Sequence, residues 1–368
     1  MSETKSDHID LSKNEFHFSH HHKACAATKS DSAALATYPS NKTLKDKLAQ
    51  DRGVSPEDLL LYAGGATAIK LVLLSYCAAS PENKRTVLLP ELTWQYYEDL
   101  CDLYDLKVET YDCQERDTEI SLCSDDIKHK AVDNAGALII IPSPNNPTGS
   151  AMTAAELVDV CNFVPSENTI FIDNCYLGFG SDDLPVGNLL KDFPNLIILN
   201  SFSKFYGLAG VRLAYLLAGG LARTRLMLQP QYLGYSSISE RIAVACLNER
   251  PHYEEKANDL AKQRDQFQRI LNGFKELKCY DSKANFLLLK IPGMSDAYVA
   301  HLKEKGVLVR RFESSKFPDC VRITVGTPQQ MALVDKITRE FLEVHGISEL
   351  GPKSTFGTQE SKDYEKAV

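Results

Sequence analysis

Ala137-Leu138-Ile139-Ile140-Ile141, then Pro142-Ser143-Pro144-Asn145-Asn146-Pro147-Thr148-Gly149, leads through a mixed stretch from Thr153 to Phe163 into a second apolar run, Thr169-Ile170-Phe171-Ile172, that stops on Asp173. A short apolar run bounded by Pro, Asn or Asp reads as a strand buried on both faces. Thr153 stands three residues ahead of Glu156 and just before an apolar run. That is the pattern of a capping box, and it predicts a helix over Thr153–Phe163. Strand, helix and strand in this order predict parallel neighbours in one sheet.

The same punctuation recurs on either side. Thr86–Leu89 and Leu196–Leu199 read as further buried strands, and Trp94–Tyr104 as a helix. The fold class is therefore α/β, a mostly parallel central sheet with helices on both faces. Beyond it the pattern changes. Ser237 to about Phe274 is helix-rich with a break at Pro251. Phe286–Ile291, Val307–Arg310 and Val321–Val325 then read as strands, and Asp296–Glu304 and Gln329–His345 as helices. This predicts a smaller α+β domain over 266–349, joined by the N-terminal segment 1–39, beside a large domain over 40–265. Residues 1–12 are expected to be frayed. Residues 350–368, rich in Gly, Ser, Lys and Glu, are expected to form a disordered tail.

Composition narrows the function classes. A chain of 368 residues with 43% apolar and 24% charged residues is an ordinary globular protein with a sizeable core. A net charge of −8 argues against a nucleic-acid surface. No run is long and apolar enough for a membrane span, and Met1–Asp10 has no apolar signal core. Ten cysteines without a CxxC pair, among them Cys77, Cys161 and Cys246, read as unpaired thiols in a reducing cytoplasm.

In such sheets ligands bind at the carboxyl ends of the strands. Four polar clusters fall there: Ser143 to Gly149, Asp173-Asn174-Cys175-Tyr176, Ser201-Phe202-Ser203-Lys204, and Gly64-Gly65-Ala66-Thr67 after Leu59–Tyr62. Together they meet the needs of pyridoxal 5'-phosphate. The aldehyde needs an amine to form a Schiff base, here Lys204. The ring nitrogen needs an anion to keep it protonated, here Asp173. Asn146 and Tyr176 can serve the phenolic oxygen. Ser201, Ser203, Arg212 and the amides at Gly65 and Ala66 can cradle the phosphate. Trp94, the single tryptophan, follows Pro90 at a strand exit and can lie against the ring.

These residues carry a resemblance. Asn146-Pro147-Thr148-Gly149, Asp173-x-x-Tyr176 and Ser201-x-Ser203-Lys204-x-x-Gly207-Leu208-Ala209-Gly210-x-Arg212 resemble, in order and spacing, the signature of fold-type I, class I/II aminotransferases over about residues 10–349. Tyr38-Pro39, Gly306 to Arg310 and Val321 to Thr327 are similar to the histidinol-phosphate aminotransferase branch. The resemblance implies a homodimer in which Tyr38 reaches the cofactor phosphate of the neighbouring subunit. It also implies that Arg322, with Asn146, binds the substrate and its acidic end, and that Arg310 does the same or helps hold a substrate phosphate. The partners would be an amino donor and a 2-oxo acid acceptor. Gly65-Ala66-Thr67-Ala68 stands where relatives often carry Gly-Ser-Asp-Glu, and of the usual N-terminal motif only Asn14-Glu15 remains. Because the bond broken depends on substrate orientation, a decarboxylase or lyase similar to threonine-phosphate decarboxylase shares every cofactor residue. His20, His21 and His22 do not converge on one point in any regular element, so no metal site is expected.

Overall fold

The computed structural model describes residues 8–18, 21–29, 35–82, 85–181, 184–312 and 314–350. The tail expected at 351–368 lies outside them, as does His20.

Seven strands form the central sheet in the order Leu59–Tyr62, Ala214–Ala218, Leu196–Ser201, Thr169–Asp173, Leu138–Pro142, Thr86–Pro90, Lys107–Tyr111. Only Ala214–Ala218 is reversed, running antiparallel to both its neighbours. Successive residues of a strand face opposite sides, and both sides here are covered. Ile139, Ile141, Ile170, Ile172 and Ile198 pack with helices Lys42–Arg52, Ser124–Asp133 and Ala154–Phe163. Leu138, Ile140, Phe171, Ile197 and Leu199 pack with Gly65–Ala79 and Tyr96–Leu103. Two-sided burial is why these strands read as unbroken apolar runs. Phe171 is fully buried at the centre, and its truncation to Ala would cost about 3–5 kcal/mol. The capping box forms as expected: Glu156 N donates to Thr153 Oγ1 at 3.2 Å, and Thr153 N to Glu156 Oε2 at 2.7 Å.

A second sheet of four strands, Lys278–Cys279, Phe286–Lys290, Cys320–Thr324 and Arg310–Phe312, is antiparallel throughout. It shares a separate apolar core with helices Ser295–Glu304 and Pro328–Val344. The expected strand Val307–Arg310 is divided: Val307–Leu308 pairs with the N-terminal segment, and Arg310–Phe312 with Cys320–Thr324. Helix Arg250–Leu271 carries Pro251 in its first turn and runs unbroken through position 265, where a boundary was expected. Tyr253 packs on the first core, whereas Ala257, Leu260 and Phe267 pack on the second.

The N-terminal segment corrects another expectation. Residues 8–12 are not frayed: Ile9–Asp10 adds a parallel strand beside Val307–Leu308, and Leu11 is fully buried. Backbone bonds from Ile9 N to Gly306 O and from Thr324 N to Leu11 O tie it in. Phe16 and Phe18 continue on the second core, while Ala24, in the short helix His22–Ala26, packs on the first. The segment thus bridges the two cores. Among the described residues no helix is long and apolar enough to cross a membrane. All ten cysteines are unpaired.

Candidate active site

The carboxyl ends of three adjacent parallel strands bring the predicted residues together. Asp173 closes its strand and is buried. Its Oδ2 accepts from Tyr97 Oη at 2.5 Å and its Oδ1 from Cys175 N at 2.9 Å. Burial raises its pKa, and these donors oppose that shift by stabilising the charged form. Tyr97 comes from the buried face of helix Tyr96–Leu103, and its own pKa is pushed up by burial and by Asp173. Trp94 meets Tyr97 edge-on with ring centroids 6.0 Å apart, and so lies one side chain away from Asp173.

On the next strand Ser201 Oγ accepts from Ser203 N at 3.0 Å. Lys204 follows in the loop. Its Nζ donates to the carbonyls of Asn14, at 2.9 Å, and Lys13, at 3.0 Å, and lies 5.4 Å from the Tyr176 ring centroid. Burial, helped by the nearby Arg322 cation, lowers its pKa from 10.5 to about 8. Arg212 holds a left-handed backbone conformation, φ +56°, which is rare for a side-chain-bearing residue. Its carbonyl accepts from Tyr235 Oη, and its guanidinium lies so close to Gly64 that a Cβ there would overlap it. Gly64, at φ +88°, opens the helix Gly65–Ala79, so the guanidinium sits at a helix N-terminus, where amides and dipole favour an anion.

The second sheet supplies the facing wall. Arg322 is 6% exposed, packed between the rings of Phe286 and Phe312 at 5.4 and 5.3 Å. It donates to Asn146 Oδ1 and to Ser12 O, both at 2.5 Å, while its buried Nε has no partner among the described residues. It has no acidic partner among them either. Burial lowers its pKa, and Arg310 adds to this. Arg310 lies directly across the strand pair from Arg322 and therefore on the same face. Arg310 is exposed, whereas its neighbour Arg311 is tied to Asp296 at 2.6 Å. Two guanidiniums on one face, with no carboxylate among the described residues to answer Arg322, form a site suited to an anionic ligand.

A match to a known family meets this geometry. The family described as aminotransferase class I and II matches residues 6–337. The chain belongs to this family. It is 31% identical to the histidinol-phosphate aminotransferase of Ruminiclostridium cellulolyticum, over 82% of each chain. Among solved structures it resembles the histidinol-phosphate aminotransferase of Sinorhizobium meliloti in complex with pyridoxal-5'-phosphate, with a TM-score of 0.78 at 22% identity over 90% of this chain and 91% of that one. The L-threonine-O-3-phosphate decarboxylase of Porphyromonas gingivalis shares the fold, with a TM-score of 0.75 at 21% identity over 91% and 99%.

The aminotransferase is an enzyme that uses pyridoxal 5'-phosphate, and the residues present fit that group. They offer a buried amine of lowered pKa, a buried carboxylate one strand away, and a guanidinium at a glycine-opened helix terminus. Gly65 lies close against Cys175, Ala66 follows it in the first turn of the helix, and Ser203 is tied to Ser201. Tyr38 stands apart. It is 77% exposed and has no hydrogen-bond partner among the described residues of its own chain. His21 stacks on Tyr253 with ring centroids 6.1 Å apart.

Two residues in contact with the candidate site escaped the sequence. Tyr97 was hidden in an amphipathic helix. Asn14 is 1% exposed, and its backbone and side chain reach Lys204, Tyr176 and Thr324. Its signal was present in the remnant Asn14-Glu15 of the family's N-terminal motif, and its backbone takes φ +55°.

Proposed function

We propose that this aminotransferase acts on a small amino donor bearing a phosphate or other acidic end, as its histidinol-phosphate aminotransferase relatives suggest, with a 2-oxo acid as acceptor. The observation that carries the reading is Arg322, a buried cation with no acid beside it among the described residues and with Arg310 across the strand pair. A buried charge left unanswered is costly, and a substrate anion removes that cost.

When bound, pyridoxal phosphate supplies a carbonyl that captures the donor's amine and a protonated ring that takes up the electron pair freed at the substrate Cα. The chain's own residues do the rest. Lys204 would hold the cofactor covalently, and its Nζ when free, about half neutral at pH 8, would take the proton from the substrate Cα. Asp173, kept charged by Tyr97 and the Cys175 amide, would hold the proton on the ring nitrogen. Asn146 and Tyr176 would serve the phenolic oxygen. Ser201, Ser203, Arg212 and the amides at Gly65 and Ala66 would hold the phosphate, and Trp94 would back the ring. Arg322 and Arg310 orient the donor so that the Cα proton, and not a carboxylate, faces Lys204.

The active unit in this reading is a cytoplasmic homodimer with Tyr38 acting on the partner's cofactor phosphate. Ten unpaired cysteines fit a reducing compartment. Leu35, Tyr38, Tyr232 and Leu233 are exposed, and Asn41 binds both backbone groups of Tyr235, which brings these segments together. This apolar patch adjoins Arg212 and suits an isologous interface. Mixing a Lys204→Ala chain with a Tyr38→Phe chain tests it: activity above either parent after subunit exchange is expected, and exchange without recovery refutes action in trans. For the reaction, the purified holo-protein is mixed with a panel of amino acids and amino phosphates, histidinol phosphate and threonine phosphate included. Formation of the oxo product together with pyridoxamine absorbance is expected. Carbon dioxide release without pyridoxamine would establish decarboxylation instead.

A further inference from the structure

The N-terminal segment lies directly against both walls of the active site. The carbonyl of Ser12 accepts from Arg322, and those of Lys13 and Asn14 accept from Lys204. Asn14 is buried and held along its backbone by the small domain. Its N donates to Thr324 Oγ1 at 2.9 Å, and its carbonyl also accepts from Asn285 Nδ2 at 3.1 Å. Thr324 orients the Asn14 side chain as well. A hydroxyl has one hydrogen, and that of Thr324 is donated to Asn14 Oδ1 at 3.1 Å. Asn14 Nδ2 is thereby turned to Tyr176, and donates to its Oη at 2.9 Å.

Tyr176 follows a strand of the central sheet, yet its phenol is set from the other side. Its ring meets Phe286 of the small sheet edge-on, with centroids 5.1 Å apart, and its oxygen takes the Asn14 bond. A phenol also carries one hydrogen. With a donor seated on its oxygen, that hydrogen is left for a different acceptor. The same donor makes the phenol a stronger donor in turn, because hydrogen bonds in a chain polarise one another. Burial pushes the Tyr176 phenol up to about 12, and Arg322 and the Asn14 amide both oppose that rise.

We propose that Asn14 is a positioning residue for the reaction: its amide aims and strengthens the Tyr176 hydroxyl as donor to the phenolic oxygen of the cofactor. This role rests on Tyr176 meeting that oxygen, as in the function proposed above. Asn14 acts through Tyr176 and not on the cofactor itself.

The test is a pH titration of the holoenzyme's visible absorbance, without substrate. In the bound cofactor a proton is shared between the Schiff-base nitrogen and the phenolic oxygen. A donor to that oxygen stabilises the anion left when the proton departs, so the proton departs at lower pH. Tyr176→Phe should therefore raise the midpoint. Asn14→Gly removes the amide and suits a backbone at φ +55°, and should raise the midpoint by less than about one pH unit. Added to Tyr176→Phe, it should move the midpoint no further, since the group through which it acts is gone. Should Asn14→Gly fail to fold, Asn14→Asp keeps the size and tolerates the left-handed backbone. Its carboxylate accepts where the amide donates, and it should also raise the midpoint. A raised midpoint in Tyr176→Phe with none in the Asn14 variants would overturn the role of Asn14 alone. A lowered midpoint in Asn14→Gly would overturn it too, since the amide oxygen would then face the phenol. An equal shift in the Tyr176→Phe background would make Asn14 purely structural. If Tyr176→Phe leaves the midpoint in place, Tyr176 does not meet the phenolic oxygen, and the underlying reading fails.

Discussion

The two walls of the active site are built on opposite plans. On the central-sheet side, polar groups are satisfied within the chain: Asp173 has Tyr97 and an amide, Ser201 has the Ser203 amide, and Lys204 has two carbonyls. On the small-sheet side, Arg322 is buried with no acid among the described residues and with one nitrogen unbonded, and Arg310 faces the same way. The first wall is organised in advance for a resident group, and its donors need not rearrange. In the proposed reading the second is completed by a ligand that comes and goes. Residues of the first wall should therefore govern kcat and cofactor retention, and those of the second KM.

The largest break would come from Lys204→Ala. Turnover should fall by on the order of 10⁴-fold or more, and borohydride should trap no cofactor on the protein. A trapped adduct on another lysine would remove Lys204 from its role. The same residue gives a pH test. Its amine is protonated below about 8 and neutral above, and only the neutral form attacks a carbonyl. Capture of added cofactor by apo-protein should therefore quicken about tenfold per pH unit from 6 towards 8 and then level off. A profile rising to pH 10 would mean that burial does not lower this pKa.

Asp173→Asn should leave the fold intact and reduce kcat by about 10²–10⁴-fold, because an amide cannot hold the ring nitrogen's proton. Circular dichroism and steady-state kinetics would check both halves.

Across the cleft, Arg322→Gln should raise the donor's KM by about 10- to 100-fold, the worth of a lost charge-assisted contact, with a smaller change in kcat. Arg310→Gln, at an exposed position, should raise it less than about fivefold. If Arg322→Gln instead loses kcat with KM unchanged, the two walls do not divide the work as described.

The same contrast explains what the sequence disclosed. The first wall was legible because its residues follow apolar runs directly. A strand buried on both faces announces itself, and the polar residues at its end stand out, as at Asp173 and Ser201 to Lys204. The second wall needed the family resemblance, because Arg322 and Arg310 sit within strands and nothing local says that they share a face. The edge strand Lys107–Tyr111 and the hairpin Cys113–Leu122 were missed, since half-exposed strands carry Lys, Glu and Gln and lose the apolar signature. Asn14 and Tyr97 act over 162 and 76 positions of chain, and spacing alone cannot show such contacts.

Tyr97 gives the smallest expected effect and the sharpest test of the satisfied wall. Its hydroxyl donates to Asp173 Oδ2, and a donor to a carboxylate stabilises the charged form. Burial already raises the Asp173 pKa, so Tyr97→Phe removes part of what opposes that rise. The carboxylate should then take up a proton at higher pH than in the parent, and the variant should lose its hold on the ring nitrogen as pH falls. At pH 8 kcat/KM should drop by less than about tenfold, the worth of one such bond. The deficit should deepen towards pH 5, with the acid limb of the profile moved to higher pH. A loss equal at every pH would mean that Tyr97 only packs against Trp94. A parent-like profile would mean that the Cys175 amide alone holds the carboxylate.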